Sequence, residues 1–323
     1  MKKIYTLIMA AFMAMSLVGC NSESATPAKP KKIQNVQVFT TANKDGEVTT
    51  KSIEKAFDSV GLNVPGNNDM NKPFQTRFNK THYKTYNLAM YMNNALTLKL
   101  LKKYPNFGAL APLTMSIWEA KDGSMNISTL SIEGMARTIG MPVNDPDLIA
   151  YAELVKKALT TAMPNGSFKA LDFSVKFPKQ TLATNFVVDV DLEDTTAEEY
   201  MEEFEAEFEA ELEPLGFLLP NYTNLQEEIF DDAGYNGVYD FYNTYSICKF
   251  DVIFPVSKTH PEAGAWAPCS FYFYKKKDEN KMHLGFLSVE NWISTLDIAD
   301  DESIKPLREA QGMIETIVNE ITE

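Results

Sequence analysis

The chain has 323 residues, and its 44 acidic against 30 basic residues give a formal net charge of −14. Hydrophobic residues make up 45% and aromatic residues 11%, which is typical of a globular chain long enough for two domains and excludes a disordered one. The acidic balance repels phosphate backbones, so it excludes nucleic acid as a partner bound through charge.

The N-terminus predicts an export signal. Lys2 and Lys3 precede an apolar run over 4–18, which is shorter than the roughly 20 residues that span a bilayer as a helix. The run ends in Leu17-Val18-Gly19-Cys20, which resembles the lipobox of bacterial lipoproteins. We therefore expect cleavage before Cys20 and acylation of that residue.

Residues 1–20 are thus predicted to be a signal peptide and residues 21–33 a flexible tether. The absence of Asp after Cys20 resembles the pattern that enteric bacteria sort to the outer membrane. The expected location is the cell envelope, on the periplasmic face of the outer membrane. The lipid makes the membrane the first expected partner.

One stretch of the sequence occurs twice. The window 104–122 resembles the window 260–278, which lies 156 residues later. The flanking segments GLNVP and LSIE resemble GFLLP and LSVE, which occur in the same order around the second window. Such a repeat predicts two copies of one domain, which we place at 34–177 and 184–323. The shared motif residues, to which we assign a structural role, are Pro105, Gly108 and Pro112 in the first copy and Pro261, Gly264 and Pro268 in the second.

The first copy predicts strands and helices in alternation. Asp122-Gly123 suits a two-residue hairpin turn, so the segments on both sides of it are expected to be the central strands. In chain order, the predicted elements are a strand over 36–41, a helix capped by Thr50 and ended by Gly61, an irregular loop to Lys72, a strand over 82–91, a helix capped by Asn94, hairpin strands over 112–119 and 125–132, and a last helix capped by Asn144 or Asp145.

The second copy is expected to repeat this order. Strands are predicted over 167–177 and 182–192, with the boundary between the copies near 178–184. Thr195 and Thr196 then cap an amphipathic helix that carries nine glutamates, which we interpret as a solvated face rather than as a surface for cations or a basic partner. The last helix, over 304–321, has a proline near its start.

The order of these motifs resembles a known family in both copies. An aromatic-rich strand, a Cys-Asn-Pro position, a short helix, Pro-x-x-Gly, a Leu-Pro-Cys-like strand and a hairpin are typical of the domain of unknown function 302. Here Met92-Asn93-Asn94 and Cys248-Lys249-Phe250 stand at the Cys-Asn-Pro position. The resemblance implies an α+β fold, with two tandem two-layer domains in which a curved antiparallel sheet is backed by helices, similar in topology to a TATA-box-binding repeat. It implies no known activity, and the topology brings no DNA binding because a fold does not fix a function.

Cys248 and Cys269 lie on the two cysteine positions of the family pattern, where the first copy has Met92 and Leu113. Because the two cysteines are present together or absent together, we expect their side chains to touch across adjacent strands. An exported protein favours a disulfide between them. Two buried free thiols and a reactive or metal-binding pair are the alternatives.

No catalytic motif accompanies these residues. The sequence lacks GxSxG, HExxH, CxxC and a glycine-rich phosphate loop. We therefore predict no catalytic residue, no cofactor and no metal site, with His260, His283 and the acidic run 189–194 as weak candidates for metal ligands. Four large aromatic residues are interpreted as core residues rather than as a concave binding face: Trp118, Trp266, Tyr274 and Trp292.

The leading hypothesis is a non-enzymatic, lipid-anchored envelope protein. Its two domains pack about a pseudo-two-fold axis and bind a small apolar ligand or a protein partner, a hypothesis motivated by the anchor, the repeat and the missing catalytic set. The alternatives are a thiol-redox accessory protein that uses Cys248 and Cys269, and a purely structural envelope protein.

Overall fold

Strands and helices alternate in both halves of the chain. The structure, a computed structural model, describes residues 34–172, 176, 178 and 182–322. The first half contains β1 (Val36–Ala42), α1 (Thr50–Ser59), β2 (Asn63–Asp69), α2 (Asn71–Phe78), β3 (Tyr86–Met92), α3 (Asn94–Lys103), β4 (Leu113–Glu119), β5 (Ser124–Leu130), α4 (Ile132–Ile139), α5 (Pro146–Ala162) and β6 (Ser167–Lys169). The second half contains β7 (Ala183–Asp189), α6 (Ala197–Leu212), β8 (Leu218–Asn224), β9 (Tyr239–Cys248), α7 (Phe250–Thr259), β10 (Cys269–Lys276), β11 (Lys281–Leu287), α8 (Glu290–Leu296) and α9 (Asp301–Thr322).

Three short turns complete the pattern. The first Pro-Gly turn, Pro105–Leu110, and the second Pro-Gly turn, Pro261–Trp266, are 3₁₀ helices at equivalent places in the two halves. The π turn, Gln226–Asp231, follows β8 and stands where the first half has α2.

The two halves share one sheet topology. The first sheet has the order β2-β3-β4-β5-β1-β6, and the second, counted from the matching edge, has the order β8-β9-β10-β11-β7. Because β1 to β5 correspond to β7 to β11, the order is the same apart from the short β6. This match confirms the predicted duplication and the α+β fold of two antiparallel sheets with helices. The described residues of both halves belong to one compact unit.

Each sheet has one face covered by helices of its own half. In the first half, Tyr91 of β3 meets Phe57 of α1 with 5.3 Å between ring centroids. In the second half, Phe208 of α6 stacks on Phe271 of β10 at 4.4 Å. Burial of each such ring stabilises the fold by about 2 kcal/mol. The opposite face of each sheet is left for contacts between the halves.

Helix α6 is the predicted amphipathic helix. The side chain of Thr196 accepts a hydrogen bond from the backbone N of Glu199 at 3.1 Å, and the Glu199 carboxylate accepts one from the backbone N of Thr196 at 2.9 Å. The phenyl rings of Phe204 and Phe208 are buried against the second sheet. Of the nine glutamates, all except the half-buried Glu205 are exposed, as a solvated face requires.

The segment predicted as an irregular loop to Lys72 is instead β2 followed by α2. β2 pairs with β3, and a register shift between Asn63 and Gly66 accommodates Pro65. The sequence prediction was wrong because Asn, Pro and Gly are poor strand formers, whereas hydrogen bonding to a buried neighbouring strand decides the structure here.

Other boundaries also differ from the prediction. Where the second hairpin strand was expected to run to residue 132, Ser131 Oγ accepts a hydrogen bond from Gly134 N at 3.0 Å and begins α4. Of the strand predicted over 167–177, β6 covers Ser167–Lys169. The predicted copy boundary at 178–184 lies partly outside the described residues.

Candidate functional site

The first Pro-Gly turn packs onto the sheet of the second half. A Cβ atom added to Gly108 would lie 2.4 Å from Tyr242 Oη and 2.7 Å from Tyr272 Cβ, so a glycine is required for this approach. Tyr242 Oη accepts a hydrogen bond from Gly108 N at 3.2 Å and donates one to the carbonyl of Pro105. The turn is therefore held by the other half.

The second Pro-Gly turn makes the reciprocal contact with the first half. A Cβ atom on Gly264 would lie 2.4 Å from Ser116 Cβ and 2.6 Å from a methyl group of Leu88. The carbonyl of Pro261 accepts hydrogen bonds from Ser116 Oγ at 2.6 Å and from Tyr86 Oη at 3.4 Å. The two halves thus exchange equivalent turns about a pseudo-two-fold axis.

The motif prolines follow the same symmetry. The peptide bonds Ala111-Pro112 and Ala267-Pro268 are both cis. Each lies directly after its Pro-Gly turn, at the start of β4 or β10. The motif residues therefore lie where each turn leaves the opposite half and returns to its own sheet.

Helices add a second pair of contacts between the halves. α2 lies against α7, where the Phe78 and Phe254 rings stack at 4.0 Å and Arg77 forms an ion pair with Asp251 at 2.5 Å. At the equivalent place, α3 lies against the π turn. There Asn94 Nδ2 donates a hydrogen bond to the carbonyl of Glu228 at 3.4 Å.

A cleft of about 350 Å³ lies between the halves on the α2 and α7 side. The edge strands β2 and β8 approach each other there. The lining is mainly apolar, and its residues are Asn68, Asp69, Met70, Pro73 and Leu88 from the first half and Leu218, Leu219, Pro220, Cys248, Phe250 and Pro268 from the second. The volume and the apolar lining are those of a small-ligand site.

An inner cavity of about 70 Å³ lies under α7 and α9 in the second half. Its lining includes Val252 and Val256 of α7, Leu307 and Ala310 of α9, and both Cys248 and Cys269. Cys248 therefore belongs to the walls of both the cleft and the inner cavity.

Both cysteines are free thiols in the structure. Cys269 lies opposite Ile247 in the strand register, one residue from Cys248. Burial raises the pKa of Cys248 to about 12. Burial also raises the pKa of Cys269, and the neighbouring Cys248 adds to this effect. These raised pKa values favour neutral thiols at physiological pH, and the three alternatives for the pair stay predictions.

The other candidate ligands do not assemble. His260 Nδ1 lies 3.2 Å from Glu262 Oε1, and His283 Nε2 lies 2.9 Å from Glu279 Oε1, in separate places. Within the described residues, no group of three or more His, Cys, Asp or Glu side chains could hold a metal ion.

The four large aromatic residues are buried, as predicted for core residues. Trp118, Trp266, Tyr274 and Trp292 are at most 6% exposed.

A second, polar cleft of about 600 Å³ lies beside the β4–β5 hairpin of the first half. Lys44, Asp122 and Lys169 line it together with Trp118, whose side chain is 5% exposed. Its charged lining suits an apolar ligand less well than the cleft between the halves does.

The predicted lipid anchor lies outside the described residues, which include neither the signal peptide nor Cys20 nor the tether. Across the part of the chain that the structure describes, no helix has the length and apolar character needed to cross a membrane.

The cleft residues Leu218 and Phe250 were not predicted as site residues. They come from two different elements and face residues about 150 positions away in the sequence, so no local pattern marks them. The available signal was the difference between the copies, since Cys248 and Phe250 replace Met92 and Asn94.

Comparison with known proteins gives one family. The family model described as "Domain of unknown function DUF302" matches residues 38–165 and 193–321. A crystal structure of an uncharacterized conserved DUF302 protein from Bacillus stearothermophilus aligns with 41% of this chain and 98% of its own chain, with 15% identity and a TM-score of 0.33. No curated protein gives a significant match.

Proposed function

The chain belongs to the DUF302 family through both of its halves, and from that premise we propose a non-catalytic binding protein of the cell envelope, anchored by lipid at Cys20. Its ligand is a small apolar molecule held in the cleft between the halves. The observation that carries this proposal is the 350 Å³ cleft, whose lining is mainly apolar and comes from both copies.

Binding is favoured over catalysis because few side chains that line the cleft could take part in a reaction. Asn68, Asp69 and Cys248 are the polar or nucleophilic side chains among its lining residues. A thiol-redox role requires a thiolate, yet burial raises the pKa of Cys248 to about 12. The thiol-redox alternative therefore has less support than ligand binding.

The binding proposal can be tested with a neutral fluorescent probe, N-phenylnaphthylamine. Leu218 lines the cleft and is 40% exposed, so Leu218→Ser should weaken probe binding by about tenfold through loss of apolar contact. Val187 is the matched control, because it is a 55% exposed apolar residue on β7, at the opposite edge of the same sheet. Equal loss of binding in Leu218→Ser and Val187→Ser would contradict the proposed site.

The anchor has its own test. Cys20→Ser removes the thiol that the predicted lipid requires. The protein should then move from the membrane fraction to the soluble fraction of the envelope, and retention at the membrane would contradict lipid anchoring through Cys20.

A further inference from the structure

The cleft and the inner cavity share one wall residue, Cys248. We infer that the ligand is a neutral single-chain amphiphile whose tail passes Cys248 and ends in the inner cavity. This inference rests on the proposed function and adds to it the shape and chemical class of the ligand.

The inner cavity suits the end of a hydrocarbon tail because its polar side chains already have partners. Lys249 Nζ donates to the carbonyl of Leu215 and lies 4.9 Å from the centroid of the Phe217 ring. Gln311 Oε1 accepts a hydrogen bond from Val289 N at 2.8 Å, and Gln311 Nε2 donates one to Glu315 Oε1 at 2.8 Å. Both side chains are thus held by hydrogen bonds to protein groups, and the remaining lining is mainly apolar, which suits a hydrocarbon tail.

The cavity volume limits how much of the tail enters. An apolar cavity of about 150 Å³ holds one benzene molecule, or about 25 Å³ for each carbon atom. On that scale, the inner cavity of about 70 Å³ takes about three carbon atoms. The longer remainder of the chain would lie in the 350 Å³ cleft.

Cys248 stands between the cleft and the inner cavity in the second half. The first half has the longer Met92 at the equivalent position, where it is buried in the core. A neutral cysteine behaves as a small hydrophobic residue, so it separates the two spaces with less bulk than methionine. Replacing Cys248 with methionine, the residue of the first half, should therefore block a tail on its way past this side chain.

The cleft and the overall charge favour a neutral headgroup. Asn68 and Asp69 are the polar side chains that the first half contributes to the cleft. The net charge of −14 repels anionic headgroups such as a fatty acid carboxylate. A monoacylglycerol combines a neutral, hydrogen-bonding headgroup with one acyl chain.

The test is a homologous series of monoacylglycerols that differ in chain length, titrated against the full chain carrying Cys20→Ser. Affinity should rise by about fourfold for each methylene group until the tail fills the inner cavity. Ala310→Leu fills that cavity from α9 without touching the cleft, and Cys248→Met enlarges the side chain between the cleft and the cavity. In both variants, affinity should stop increasing at a chain about three carbons shorter than in the parent protein. Ala310→Leu should leave the affinity for short-chain members of the series unchanged.

The outcomes separate the two proposals. If the series binds but Ala310→Leu and Cys248→Met keep the wild-type chain-length limit, the tail does not enter the inner cavity and this inference is wrong. If no member of the series and no neutral probe binds the wild-type chain, the proposed function fails as well. Val187→Ser should reproduce the wild-type limit.

Discussion

Tyr86 and Tyr242 make the same contact in opposite directions, because each phenol donates a hydrogen bond to the carbonyl of the first proline in the other half's Pro-Gly turn. The acceptors are Pro261 and Pro105, respectively. The sheet face that each half leaves free of its own helices is thus used to hold the other half. The cleft between β2 and β8 therefore forms only when the two halves pack together, because each half supplies part of its lining.

Removal of the Tyr242 hydroxyl should destabilise the protein. Tyr242 is fully buried, and its hydroxyl donates a hydrogen bond to Pro105 O and accepts one from Gly108 N. Tyr242→Phe should lower the free energy of unfolding by about 2 kcal/mol, because two buried backbone groups lose a partner. Equilibrium unfolding in urea measures this change.

Tyr86→Phe is the matched variant and should cost less. Its acceptor, the carbonyl of Pro261, also accepts a hydrogen bond from Ser116 Oγ at 2.6 Å, so it remains satisfied. A larger loss for Tyr86→Phe than for Tyr242→Phe would contradict the hydrogen bonds described between the halves.

The two motif glycines should not tolerate a methyl group. Gly108→Ala and Gly264→Ala would place a Cβ atom 2.4 Å from an atom of the opposite half in each case. Each should lower the free energy of unfolding by about 1–3 kcal/mol through overpacking. Gly312 in α9 has no atom within 4 Å of its ideal Cβ position, so Gly312→Ala should stabilise the protein by about 0.5–1 kcal/mol. Thermal unfolding of the three variants would show these opposite signs, and a neutral effect of Gly108→Ala would argue against close packing of the turn.

The duplication and the central hairpins could be predicted because they are local or repeated features. Asp122-Gly123 marks the β4–β5 turn, and the Pro-x-x-Gly windows recur at a fixed spacing. β2 could not be predicted from its own residues, since hydrogen bonds to β3 outweigh the poor strand propensity of Pro65 and Gly66. Local pattern therefore identified the elements with strong internal signals and missed those that depend on a neighbour.

The cleft depends on contacts that no single window contains. Leu88 and Leu218 line it together, although each belongs to a different copy. The sequence did indicate that Cys248 and Cys269 belong together, and the structure places both around one cavity. It did not indicate that Cys248 also reaches the cleft, because that depends on how the two halves pack.

The two thiols should be unreactive in the native protein. Burial raises the pKa of Cys248 to about 12, and thiolate rather than thiol reacts with iodoacetamide. Alkylation followed by mass spectrometry should show both cysteines labelled only after unfolding. Rapid labelling of the native protein would instead support the reactive-pair alternative.

The oxidation state of the pair is decided by a different experiment. Thiol titration of the denatured, unreduced protein should find Cys248 and Cys269 both reactive if they are free thiols in the native protein, as they are in the structure. No reactive thiol at either position would instead establish the disulfide that export favours.

Alkaline pH should lower stability through Cys248. Its pKa rises from the ordinary 9.0 in the unfolded chain to about 12 in the folded protein, so the unfolded state releases the proton first. The contribution of this thiol is fully present below pH 9.0 and is lost progressively up to about pH 12. Urea unfolding across this range should show a smaller decline in Cys248→Ala than in the wild type, and an equal decline would contradict the raised pKa.

The most direct measurement is a crystal structure of the Cys20→Ser chain grown with a neutral monoacylglycerol. We expect electron density for the acyl chain between β2 and β8, with its end beyond Cys248. Density confined to the polar cleft beside Trp118, or a cleft closed by Leu218 and Phe250 with no ligand, would contradict apolar binding between the halves.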